Sequence, residues 1–160
     1  MRALYLAGSI EMLEESLAYF RKAAYTGWDV GWLEDNIKIE LQRKGYDYYS
    51  SGQFEAAEKI YIFLTEVYPR DPRAYVNLGV VYEKRGDLDS AHKYYISAID
   101  IDFNNVDAHF NLAVLFWQQG RWAEVVKEFE IVESLSPGYR DAPRFLAAAR
   151  QELYKKQPGK

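Results

Sequence analysis

The sequence has 160 residues, 49% hydrophobic, 16% aromatic and 28% charged, which is enough apolar surface to build a core and lies outside the disordered class. It contains no cysteine, so a disulfide framework, a thiolate metal site and a thiol nucleophile are excluded. The net charge of −4 disfavours nucleic acid as the main partner, and no stretch approaches the roughly 18–20 apolar residues of a membrane span.

The chain opens on Met1-Arg2-Ala3-Leu4-Tyr5-Leu6-Ala7-Gly8 and reaches Glu11, Glu14 and Glu15 within a few residues, too soon for a signal peptide. A cytoplasmic location is expected if Met1 is the native start. Ser16, Phe20 and Ala23 have the small, aromatic, small order of a second helix in a helical pair, so residues 1–26 read as a degenerate or truncated pair. A linker around Thr26–Trp32 follows, with Trp28 and Trp32 expected to pack the junction, and residues 1–37 together form an N-terminal segment.

From residue 38 onward the chain repeats. Gly52, Gly86 and Gly120 are 34 residues apart, and Gly45, Gly79 and Ala113 keep the same interval. So do Tyr48/Tyr82/Phe116, Tyr61/Tyr95/Phe129, Lys59/Lys93/Lys127, Phe54/Leu88/Trp122 and Ala57/Ala91/Val125. Within each unit apolar residues recur at three- and four-residue steps, the spacing of an amphipathic helix. The glycine at 52, 86 and 120 lies between two such runs, where a left-handed residue ends one helix and turns the chain. Gly45/Ala57 and Gly79/Ala91 are expected to let the helices of a pair approach closely, and the aromatic columns to fill the space between pairs. Asp71-Pro72 and Asn105 read as helix starts, and Pro69 and Pro137 as stops, with Phe103 in that place in the middle unit.

These columns resemble the tetratricopeptide repeat, a 34-residue helix-turn-helix unit. The matching residues are Leu41, Lys44, Gly45, Tyr48, Ala57, Tyr61, Leu64 and Pro69, then Tyr75, Leu78, Gly79, Tyr82, Ala91, Tyr95 and Ala98. The third unit offers His109, Leu112, Ala113, Phe116, Val125, Phe129, Val132 and Pro137, with a bulkier Ala113/Val125 pair. The resemblance covers residues 38–139 and implies an all-α fold, a right-handed α-solenoid of three repeats at 38–71, 72–105 and 106–139. Residues 140–160 read as a capping helix (Pro143, Phe145, Leu146, Ala149, Leu153) and a frayed tail. This last segment carries six Lys/Arg against two Asp/Glu. It reads as a solvated outer face, and membrane contact through it is disfavoured.

Motifs for chemistry are sparse. The sequence has no phosphate-binding glycine loop, no Gly-x-Ser-x-Gly elbow and no His-Glu-x-x-His. Asp100-Ile-Asp102-Phe-Asn104-Asn105 begins like a calcium loop but lacks glycine at the sixth place and an acid at the twelfth, so it reads as an inter-repeat turn. His109 stands in a column held by Leu41 and Tyr75, so packing accounts for it better than ligation; His92 has no second histidine nearby. Glu124, Glu128, Glu130 and Glu133 read as a solvated helix face. Neither an enzyme nor a bound cofactor or metal is expected.

In the tetratricopeptide family a stripe along the first helices lines a concave groove for a peptide or partner helix. Here its rows are Gln42/Val76/Phe110, Tyr46/Val80/Val114 and Tyr49/Glu83/Trp117, seven of nine apolar or aromatic, with Asn77 and Asn111 beside them. The resemblance therefore implies a non-catalytic interaction module or scaffold that binds a protein or peptide with apolar side chains. Repeats that capture acidic chaperone tails use Lys and Asn, then Asn, then Lys and Arg; the matching residues here are Gln42 and Tyr46, Asn77, and Asp107 and Asn111. Only Asn77 agrees, so an acidic chaperone tail is disfavoured. Residues 1–26 could instead cover the groove. A self-associating homo-oligomer, or a domain of a larger membrane or envelope protein, stands as an alternative.

Overall fold

A computed structural model describes residues 31–155, with side chains from Asn36 onward. The readings placed on residues 1–30 and on the 156–160 tail lie outside the described residues. Seven α-helices and no strand are present among the described residues, and the chain divides into two compact units at Leu64/Thr65.

The first unit holds α1 (Gly31–Ser50) and most of α2 (Phe54–Val67). The boundary expected at 37/38 falls inside α1, which runs without a break through residues 31–37. Ile37 and Leu41 of α1 and Ala57, Ile60, Tyr61 and Leu64 of α2 are buried. Between the helices Gly52 takes φ +77°, and the Gln53 N–H donates to the Tyr48 carbonyl at 2.8 Å, which closes the helix end. Gly45 is needed for a different reason: a Cβ there would stand 2.7 Å from Cζ of Tyr61, inside the ring's van der Waals surface. Burial, followed by the charges of its neighbours, pushes the Tyr61 hydroxyl well above the ordinary tyrosine range.

The second unit holds α3 (Pro72–Lys84), α4 (Leu88–Ile101), α5 (Val106–Gln118), α6 (Trp122–Leu135), a 3₁₀ turn (Tyr139–Asp141) and α7 (Ala142–Lys155). Helices α3 and α4 pack as one pair and α5 and α6 as the next, with α4 against α5, α3 against α5, and α6 against α7. Sequence sets each start. Asp71 accepts from the Arg73 N–H at 3.1 Å with Pro72 just inside α3. Asp87 accepts from the Ser90 N–H, and Asn105 from the Ala108 N–H at 2.9 Å. Asp102, which the calcium-like stretch brought into view, accepts instead from the Asn104 N–H in the turn.

The aromatic columns differ from expectation in one respect. Tyr95 lies within its own pair, where a Cβ on Gly79 would fall inside its ring, rather than between pairs. Its hydroxyl emerges to donate to Oε2 of Glu83 at 2.8 Å. The small residue of the first helix thus seats the aromatic of the second. The expected capping helix is present as α7, whose Ala142, Leu146 and Ala149 are buried. It is reached through a turn in which Gly138, Arg140 and Asp141 all have positive φ. For Arg140 and Asp141 that conformation is strained.

Candidate partner-binding face

The first helices of the second and third repeats, α3 and α5, lie in contact, so their equivalent positions form adjacent rows. The nine residues singled out in the sequence do not all have the same exposure there. Val76 and Phe110 are buried, at 7% and 9%, and belong to the core. Phe110 meets Phe129, Tyr139 and Phe145 edge-on, with ring centroids 5.6, 5.6 and 6.3 Å away, and the Arg140 guanidinium stands 5.5 Å from its ring. Its surface is covered by the turn and α7, elements whose paths the repeat pattern does not specify.

Val80 and Val114 are half-buried, one side packed on the core and the other open. Beside them Asn77 and Asn111, 34 residues apart, are also half-buried, and neither side-chain amide has a hydrogen-bond partner among the described residues. Trp117 is half-buried, edge-on to Trp122 at 5.0 Å and to Phe145 at 5.8 Å. In the first unit Tyr46 is 63% exposed, whereas Tyr49 is half-buried and tilted against Phe54 at 5.8 Å.

The nearby acids are engaged. Glu83 accepts from the Tyr95 hydroxyl and, at 2.6 Å, from the Gln118 amide, tying α3 to α4 and α5. Asp107 pairs with Arg140 at 2.9 Å and accepts from the Tyr139 hydroxyl. Burial first, then that bond to Asp107, pushes the Tyr139 hydroxyl up to about 12. Arg140 also lies over the Tyr139 ring, so one guanidinium neutralises Asp107 and covers two aromatic faces.

One expectation is overturned. Glu128, assigned to a solvated face, is 6% exposed and stands 2.7 Å from Nδ1 of the buried His109. The signal lay in the repeat itself, since Glu128 shares a 34-residue column with Tyr94 and with Ile60, which is 1% exposed. Tyr139, Arg140 and Phe145, which cover Phe110, had no equivalent column to reveal them. His92 is half-buried against Phe116, with ring centroids 5.6 Å apart. No group of three or more candidate metal ligands occurs among the described residues.

The helix-turn-helix pairs, the glycine seats and the 34-residue columns coincide with a match of the tetratricopeptide repeat family model to residues 43–105 and 84–139, more than half of the chain. The chain belongs to the tetratricopeptide repeat family. No curated protein matches the sequence. Solved tetratricopeptide domains share its fold. The Yersinia enterocolitica type III secretion translocator chaperone SycD is 21% identical, covers 77% of this chain and 88% of its own, and superposes with a TM-score of 0.67. The first such domain of human RPAP3 is 20% identical over 77% of this chain and 97% of its own, with a TM-score of 0.69. The Sgt2 domain from Aspergillus fumigatus is 15% identical over 76% and 82%, with a TM-score of 0.70. The fold is a helical solenoid of the kind used for protein interaction rather than catalysis.

Proposed function

We propose that the chain is a non-catalytic interaction module that takes a peptide or helix of a partner protein along the face of its first helices. The reading rests above all on Asn77 and Asn111, two amides with no hydrogen-bond partner of their own, set beside the half-buried Val80 and Val114. Such a row suits a ligand whose apolar side chains pack on the valines while its backbone bonds to the amides. Trp117, Tyr46 and Tyr49 would extend the contact, whereas the buried Val76 and Phe110 would shape the face from beneath. Related folds supply precedent: SycD has been solved with a peptide of the translocator YopD, and the first RPAP3-type domain with an HSP90 peptide. For this chain an acidic chaperone tail remains disfavoured. Asp107 occupies a place where such a tail needs a cation, and Arg140 is already committed to it.

The test is selection of peptides from a displayed random library on the full chain. Their affinity is then compared on wild type and Val80→Glu. A drop of about tenfold or more with helicity unchanged is expected, because a charge would be buried under the ligand. Equal affinity would place the binding surface elsewhere. A second reading, self-association, is favoured by the exposure of Ile39 (58%) and Tyr46 (63%) on α1. Light scattering across a concentration series separates the two, since only self-association gives a mass that rises with concentration.

A further inference from the structure

His109 is 2% exposed, and each of its ring nitrogens faces an oxygen: Nδ1 is 2.7 Å from Oε2 of Glu128, and Nε2 is 2.9 Å from the carbonyl oxygen of Phe103. A carbonyl only accepts, so Nε2 carries a hydrogen. The second repeat makes the same bond with different chemistry. Tyr75 holds the equivalent column position, and its hydroxyl donates to the Pro69 carbonyl, 34 residues before Phe103. Nδ1 then confronts a carboxyl group. Without a hydrogen between them, two lone pairs would oppose each other in a buried site with no water to relieve them. One hydrogen therefore lies in that contact, and imidazole is the stronger base of the two groups.

We propose that His109 is a buried imidazolium held on the Glu128 carboxylate, so that the third repeat closes on a charge pair that depends on a single proton. The pair is neutral as a whole, which is how two ionised groups are tolerated in a core. It ties α5 to α6 through Glu128, and to the α4–α5 turn through Phe103, whose ring stands edge-on to the imidazole at 5.4 Å. Losing the shared proton leaves opposed lone pairs, and adding one to Glu128 leaves opposed hydrogens; either change opens the latch. The charged groups on the surrounding elements have other engagements or lie in solvent. Asp107 pairs with Arg140, Glu124 with Arg121, and Glu130 with Arg150. Asp102 accepts from the Asn104 N–H, and Asp100, Lys93 and Lys127 are exposed.

The test is NMR of the full chain with 15N-labelled histidine at neutral pH, correlating carbon-bound ring protons with both ring nitrogens. A His92→Gln variant assigns the two histidines. In wild type both nitrogens of His109 are expected to read as protonated, with an N–H hydrogen slow to exchange. In Glu128→Gln the new amide donates to Nδ1, so Nδ1 should move to the position of a bare ring nitrogen while Nε2 stays protonated. A wild-type Nδ1 already at the bare position would overturn the proposal, as would a His109 spectrum unchanged by Glu128→Gln. The wild-type spectrum decides the matter even if the variant fails to fold.

Discussion

In the second repeat Tyr95 rests on Gly79 and sends its hydroxyl to Glu83, while Tyr75 reaches the Pro69 carbonyl at 3.3 Å near the surface. In the third repeat Ala113 and Phe129 stand in the places of Gly79 and Tyr95, and the polar bonding has moved inside, to the buried His109 and Glu128. Helix lengths and turn geometry are nonetheless shared: α3 and α5 each have 13 residues, and Gly86 and Gly120 take φ +83° and +67°. The backbone of a repeat is thus set by its glycine turn and apolar columns. The polar column is free to vary, provided that every buried donor meets an acceptor. The cost of breaking that column should differ greatly between the two repeats.

The largest effect is expected for Glu128→Ala, which strands a buried imidazolium and leaves a cavity. Removal of one partner of a buried pair costs about 3–5 kcal/mol, readable as a lower urea midpoint. Next comes Gly79→Val, which forces side-chain atoms into the Tyr95 ring; overpacking of this kind costs about 1–3 kcal/mol. A melting curve unchanged by Gly79→Val would contradict the pairing of α3 with α4.

A smaller effect is expected at the start of α4. The Ser90 hydroxyl, then the Ser90 N–H, hold the Asp87 carboxyl below the ordinary aspartate range. A depressed carboxyl stabilises the fold above its unfolded pKa, and that contribution fades as pH falls through the folded value. Asp87→Ala should therefore lower the melting temperature at neutral pH, and the difference from wild type should shrink in acid. The smallest change belongs to Tyr75→Phe, within about 0.5 kcal/mol, because a surface hydroxyl regains water. Equal losses for Tyr75→Phe and Glu128→Ala would erase the contrast between the repeats.

Much of this fold was legible in the sequence because its signals are periodic. The 34-residue glycine column became the three left-handed turns, and Asp71-Pro72 and Asn105 became the caps of α3 and α5. The face was less legible. Position along a helix gives direction but not what lies over it, so Phe110 appeared as lining when Tyr139, Arg140 and Phe145 in fact cover it. Those residues lie beyond the last repeat and approach through a turn with strained φ values that no period announces. Glu128 misled for the opposite reason. Its charge suggested solvent, while its column, shared with Ile60, indicated the interior.

The most direct measurement is amide-shift mapping of the 15N-labelled full chain with the tightest library-selected peptide. Shifts concentrated at Asn77, Val80, Asn111 and Val114 are expected, with little change along 122–135. Perturbations confined to α6 and α7, with the first helices silent, would contradict a binding face built on α3 and α5.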